Sequence, residues 1–550
     1  MGRHVPRKTL AAILTICAAA QTATIAQSPI TQAPPAADLS RRSAAGAEAD
    51  WLTDGGDPQR TAWQRNEHIL NVSNVKGMTL LWKYKTDNEP REMHALFPPL
   101  IVGRVLTAAG PKQIAIVAGI SDNIYAIDVA TGGLLWKHHF DTTFSPPPGV
   151  NFGTLCPGGQ LATPVIGPGK TSGSYIIYAA AWDGRLHQLD VATGKAVAPS
   201  ELFMPPNGKP YGLNLWNNVI YTTSAQGCGG NPNYVYAFDL ATRRTATFDP
   251  GSGGMWGRSG PSIGKDGTVY TGTGDGSYNP ELRSYGTAII GVKLDPKTGA
   301  LKLKDYFGPP NAEYLLKRDI DLQVTGPVFE HAGREWLVQG SKECRTWLLD
   351  TSALGGEDHS TAEHRSPLIC NEDQDYQAAG IYGAMATYED AKGTRWVLVP
   401  FWGPKHPKFK APIEHGEVFN GAVAAFRMEK NPATGQFFLN SAWISRDMKH
   451  ADPPVVANGI VFGFASGEDV VLRSPPMPFG GAPEGGGTPG RISRSTHAVL
   501  YALNGQTGQE LWSSGDTITS WNHYSGISVA NGRVYIGTYD GTVYCFGLPQ

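Results

Sequence analysis

Tyr125-Ala126-Ile127-Asp128-Val129-Ala130-Thr131-Gly132, followed by Leu135-Trp136, is the phrase on which the fold turns. Alternating apolar residues ahead of the Asp make a strand with one packed face. The Asp carboxylate and Thr hydroxyl cap free backbone amides in the turn, and the Gly accepts a positive φ. The Trp that follows is wide enough to cover a seam between neighbouring sheets. Leu189-Asp190-Val191-Ala192-Thr193-Gly194 repeats the centre of the phrase, and Tyr236-Ala237-Phe238-Asp239-Leu240-Ala241-Thr242 repeats it again. Val292-Lys293-Leu294-Asp295-Pro296-Lys297-Thr298-Gly299 is a fourth copy, and Trp347-Leu348-Leu349-Asp350 a shortened one. Residues 426–435 and 501–508 continue the series, the last ending in Leu511-Trp512. Copies spaced by roughly fifty to eighty residues predict a β-propeller with one four-stranded antiparallel blade per copy.

Seven copies run from Phe97 to about Trp521. The tail, residues 523–546, holds three further strands and lacks the Trp-bearing one. Thr79-Leu80-Leu81-Trp82-Lys83-Tyr84 is that missing strand, placed at the other end of the chain. Pairing it with the C-terminal strands predicts an eighth blade and a ring with no open sheet edge. The expected fold class is therefore all-β, an eight-bladed propeller over residues 51–550.

Composition agrees. The chain has 550 residues, 67 of them Gly, with 10% aromatic and 17% charged residues, a mixture suited to short strands and tight turns. A formal net charge of −2 gives no basic excess for nucleic acid. Arg3, Arg7 and Lys8 precede the short apolar run 10–20, with Thr24 and Ala26 at cleavage positions −3 and −1. This predicts a secretory leader over 1–26, a disordered linker over 27–50, and a periplasmic or secreted chain with no transmembrane segment after cleavage. Removal of the leader leaves five cysteines, so at least one thiol is unpaired. There is no Cys-x-x-Cys-His for covalent haem, no phosphate loop, no dinucleotide fingerprint and no nucleophile elbow. Two Gly- and Pro-rich stretches, 403–418 and 469–497, interrupt the rhythm and are expected to shape a binding mouth.

These repeats resemble those of the dehydrogenases that depend on pyrroloquinoline quinone (PQQ), over nearly all of the chain from Trp51-Leu52-Thr53-Asp54-Gly55-Gly56-Asp57-Pro58 onward. The resemblance implies oxidation of an alcohol or sugar hydroxyl by hydride transfer to PQQ, with Ca²⁺ or a lanthanide polarising the quinone. Electrons would leave to a separate cytochrome c or membrane quinone. The same repeat also builds non-catalytic scaffolds, such as an outer-membrane assembly factor, so a propeller that binds protein or polysaccharide is the alternative, and the function must be argued from individual positions.

The resemblance implies a role for each of several residues. Trp256, in Gly254-Met255-Trp256-Gly257, matches the indole on which the quinone stacks. Asp319, in Arg318-Asp319-Ile320-Asp321, matches the base that takes the hydroxyl proton and touches the metal, and Asp321 matches an added metal-binding carboxylate. Asp275, after Gly272-Thr273-Gly274, stands where a metal-binding Asn is usual. Lys342 matches the cation beside the quinone oxygens. Two departures stand out. The loop 224–231 lacks the expected Glu ligand, leaving Gln226 or Asn231 as neutral oxygen donors. The adjacent-cysteine disulfide is also missing, and Cys156 and Cys228, on neighbouring blades, are expected to lie near each other.

Overall fold

The computed structural model describes residues 48–142, 155–274, 276–322, 325–370, 379–470 and 487–549. The leader read over 1–26 and most of the linker read over 27–50 lie outside the described residues, as does Asp275.

Eight antiparallel blades account for the repeat copies one by one. The first contains Leu100–Thr107, Gly110–Gly119, Asn123–Asp128 and Leu134–His139. The eighth contains Ile527–Ala530, Arg533–Gly537 and Thr542–Gly547, and its outer strand is Thr79–Lys85 from the N-terminal side. Thr79 pairs with Gly547 and Lys85 with Thr542, so the chain closes on itself as the missing strand required. Part of the stretch 403–418 does not reach the mouth. Ile413–Glu414 runs parallel to Phe437–Ile444 and adds a fifth strand at the outer edge of the sixth blade.

The recurring Trp and Gly explain each other. Trp82, in the outer strand of blade eight, lies against Gly132 of blade one, where an added Cβ would sit 2.7 Å from the indole. Its Nε1 donates to the Val129 carbonyl at 2.9 Å. Trp136 repeats the contact on Gly194 of blade two and donates to the Val191 carbonyl at 3.0 Å. Each blade thus docks on the turn of the next, and the Gly is needed for space as well as for φ.

One feature of the ring has no counterpart in the repeat. The segment 51–64 runs round the inside of one end and touches the first strand of every blade in turn. Trp51 exchanges backbone hydrogen bonds with Ile101 of blade one, and the Leu52 carbonyl accepts from Ile166 of blade two. Arg60 donates to the Leu213 carbonyl of blade three at 3.0 Å. The carbonyls of Pro58, Gln59, Thr61 and Ala62 accept from Ile263, Val328, Thr387 and Val456 of blades four to seven. Gln64 Nε2 completes the circuit on the Val529 carbonyl of blade eight. The belt satisfies inner-strand amides that would otherwise face the shaft, and it occupies that end. Ala49 and Asp50 are already bound ahead of it, to Asn531 and Gly103.

Candidate active site

The other end of the shaft is lined by segments that lead into the blades. The segment before blade four carries Trp256. Gly254 exchanges two 2.9 Å backbone hydrogen bonds with Gly274, and Met255 N–H donates to the Ser224 carbonyl of blade three. Held from both sides, the half-buried indole packs against Tyr382, Trp402 and Val470 from blades six and seven. The Tyr382 ring lies 6.4 Å from it, tilted by 41°.

Asp319 ends the short helix Ala312–Lys317. Ile320 N–H donates to the Leu315 carbonyl and Asp319 N–H to the Leu316 carbonyl, the paired bonds of a Schellman cap. Leu315 and Ile320 share a core cluster, which supplies the apolar contact of that motif. The cap places Asp319 in the left-handed region, φ +55°, where Gly is preferred. A carboxylate in a strained position beside a polar cleft is characteristic of functional sites.

Asp321, 1% exposed, lies against Gly274, where a Cβ would collide with the carboxylate. Trp256 Nε1 donates to Asp321 Oδ2 at 3.3 Å. Lys342, 6% exposed, joins the two acids. Its Nζ is 3.0 Å from Asp319 Oδ1, 3.0 Å from the Asp319 carbonyl and 2.5 Å from Asp321 Oδ2. It also stands 5.2 Å from the centre of the Trp256 ring. One ammonium therefore directs its donors to two carboxylates beside an indole, with good complementarity of charge. Asp319 is the more open of the acids, 27% exposed, and Lys342 engages its Oδ1.

Two disulfides brace this end. Cys156–Cys228 joins blades two and three with Cα atoms 5.6 Å apart, as expected from their positions. Cys344–Cys370, a pairing left open by the sequence, fastens the loop two residues beyond Lys342. Cys344 N–H donates to the Ser341 carbonyl and Ile369 N–H to the Cys344 carbonyl, so the Lys342 turn is tied on both sides. Cys545 is the unpaired, buried thiol.

The structure brings Trp256, Asp319, Asp321 and Lys342 together. Gln226 lies in the neighbouring loop with φ +69°, and its side chain engages the Tyr211 hydroxyl. Among the described residues no group of three or more His, Cys, Asp and Glu side chains could hold a metal ion. The Trp256 indole face and the Lys342 ammonium lie side by side, a pairing that suits a planar anionic ring. A metal on Asp319 and Asp321 would have to displace Lys342 from between them.

Sequence reading missed the second half of the shaft. Trp402 stacks on Tyr382 at 4.4 Å and on His450 at 4.6 Å, and lies 5.4 Å from Tyr524. His523 Nδ1 is 2.8 Å from Glu468 Oε2, and Arg491 pairs with Glu468 Oε1. Burial pushes the Glu468 carboxyl up, yet His523 and Arg491 outweigh it and hold it down at about 2. Trp256, Tyr382, His450 and Tyr524 all stand in the short segment leading into a blade's first strand, and aromatic residues in those segments are the signal that could have found them.

No family model matches the chain. A quinohemoprotein alcohol dehydrogenase of Comamonas testosteroni is 27% identical over 304 residues, which is 48% of this chain. The match spans 39% of that relative's length. The crystal structure of the quinohemoprotein alcohol dehydrogenase from Comamonas testosteroni aligns with TM-score 0.54 and 16% identity, over 91% of this chain and 80% of that one. A europium-containing methanol dehydrogenase aligns with TM-score 0.55 and 14% identity, over 92% and 99%. The protein thus has the eight-bladed propeller fold that these dehydrogenase structures share. The first-named relative is similar to it in sequence as well as in fold.

Proposed function

We propose that this protein is a PQQ-dependent oxidoreductase that oxidises a hydroxyl group of a small alcohol or sugar. The observation that carries the reading is the convergence of Trp256, Asp319 and Lys342 at one end of the shaft. When bound, PQQ supplies the hydride acceptor. Trp256 offers a flat face for a planar ring, fixed by its bond to Asp321. Asp319 takes the substrate hydroxyl proton on Oδ2 while Lys342 holds Oδ1. Lys342 also sets positive charge beside the ring face, where negative charge develops during reduction. The belt occupies the opposite end, so substrate enters from the Trp256 side. Two electrons per turnover leave to a separate cytochrome c or membrane quinone. The leader read over residues 1–26 would carry the chain to the periplasm, and no helix among the described residues is long and apolar enough to cross a membrane.

Titration of the purified protein with PQQ tests this. The expected result is quenching of Trp256 fluorescence, a bound-quinone absorbance band, and dye reduction with a panel of alcohols and sugars. Absence of quenching and of the band would leave a non-catalytic scaffold as the better reading.

A further inference from the structure

Beyond Trp256 the shaft holds buried polar groups that the hydride chemistry does not use and that the protein leaves unsatisfied. Arg258, two residues past the indole, reaches from blade four across the axis until its guanidinium lies 4.9 Å from the ring centre of Phe97 in blade one. Its Nε is buried without a partner, and among the described residues its side chain makes no ion pair. It lies within electrostatic reach of Asp54, Tyr211, Asp452 and Tyr524. Asp452, 1% exposed, leaves Oδ2 without a hydrogen bond. His450 from the same blade and His94 from blade one each leave a buried Nδ1 unpaired. Buried polar atoms are nearly always paired, so four orphans around one axis, from three blades, mark a place for a ligand.

The surrounding charges narrow its chemistry. His94 is surrounded by Lys209, His523, Arg258 and Arg491, an excess of basic groups. Three of these basic groups are already engaged. Lys209 donates to the Leu155 carbonyl at 2.6 Å, and Arg491 and His523 hold Glu468. Arg258 has Asp54 and Asp452 within electrostatic reach but no carboxylate at ion-pair distance among the described residues, and a ligand carboxylate matches its planar donors. Asp452 and the two imidazoles remain as groups that hydroxyls satisfy. An apolar alcohol, with a single hydroxyl, would leave most of them unpaired.

We propose that the shaft beside Trp256 is a subsite for a small hydroxy-carboxylate, a sugar acid or hydroxy acid, with its carboxylate on Arg258 and its hydroxyls on Asp452, His450 and His94. That this molecule is the oxidised substrate rests on the PQQ reading; that it binds does not. A carboxylate could also come from the cofactor, so binding is measured on the full-length protein with and without PQQ.

Calorimetric titration with gluconate, glucose and 1-butanol is the test. Gluconate is expected to bind both forms, glucose at least about tenfold more weakly, and 1-butanol not at all, since a charge-assisted bond discriminates by about ten- to a hundredfold. Arg258→Gln should lose that factor for gluconate and leave glucose unchanged, while Arg258→Lys should retain most of it. Far-UV circular dichroism and Tm would verify that each variant folds. Asp452→Asn should weaken gluconate and glucose alike. The proposal is overturned if wild type ignores gluconate, if Arg258→Gln binds it as well as wild type, or if PQQ abolishes gluconate binding and so claims Arg258 for the cofactor. Gluconate binding without any PQQ binding would keep the subsite and remove the redox reading; PQQ binding without gluconate would do the reverse.

Discussion

Replacing Asp319 separates the two things that residue does. Its φ of +55° is the left-handed conformation of a helix C′ position. Residues other than Gly pay about 1–3 kcal/mol there, and Asp lies at the low end because its short polar side chain is tolerated. Its ion pair with Lys342 is 27% exposed on the Asp side, so solvent screening leaves about 0.5 kcal/mol. Asp319→Gly removes the pair and the strain together, and its stability should fall within about 0.5 kcal/mol of wild type or above it. Asp319→Ala removes the pair and keeps the strain, so it should be less stable than the Gly variant by about 1 kcal/mol. At about 2.1 cal/mol/K per residue, that difference is roughly 1 °C in Tm for a chain of this length, within reach of replicate scanning calorimetry. Both variants should still bind PQQ, because Trp256 and Asp321 are intact. Both should lose turnover by about 10²–10⁴-fold in dye reduction, the range for a missing general base. Equal stability of the Ala and Gly variants would refute the strain argument. Turnover surviving in either would take the proton-accepting role from Asp319.

Further perturbations probe the groups around it. Burial, with Arg258 nearby, pushes the Lys209 amine down to about 7 from its ordinary 10.5. The unfolded chain then binds a proton that the folded one lacks between those values, so stability rises with pH across that window. Lys209→Met should be stabilising relative to wild type near pH 7, with the gap closing by about pH 10 in denaturant titrations; a gap independent of pH would contradict the burial effect. The double variant Cys344→Ala/Cys370→Ala opens a loop of 26 residues and should cost about 3–4 kcal/mol by the chain-entropy model. It should also weaken PQQ binding, because the Lys342 turn loses its anchor; unchanged affinity would show that the turn holds itself. Terbium luminescence sensitised by Trp256 reports on a lanthanide at Asp319 and Asp321. Lys342→Ala should bind terbium more tightly than wild type, since the ammonium is the competitor, and equal or weaker binding would place the ion elsewhere.

The repeat was legible because each blade is a meander of strands adjacent in the chain, and its turn chemistry is written locally in Asp128, Thr131 and Gly132. Closure by Thr79–Lys85 was legible as well, since a blade short of one strand and a strand short of a blade occur at opposite ends. Trp256, Asp319, Asp321 and Lys342 could be singled out because their local motifs match positions of the family the repeats resemble. That one ammonium ties both acids to the indole could not, because it depends on three side-chain rotamers at once. The belt from Trp51 to Gln64 also escaped, for its bonds are made by backbone carbonyls whose partners carry no residue signature.

By itself the order of amino acids determined eight blades and their closure, both consequences of local periodicity and turn propensity. Only the tertiary structure decided that His94, Arg258, His450 and Asp452 look into one shaft. Those residues come from three stretches of the chain far apart in sequence, and no local pattern encodes which side chains a ring of blades turns toward its axis.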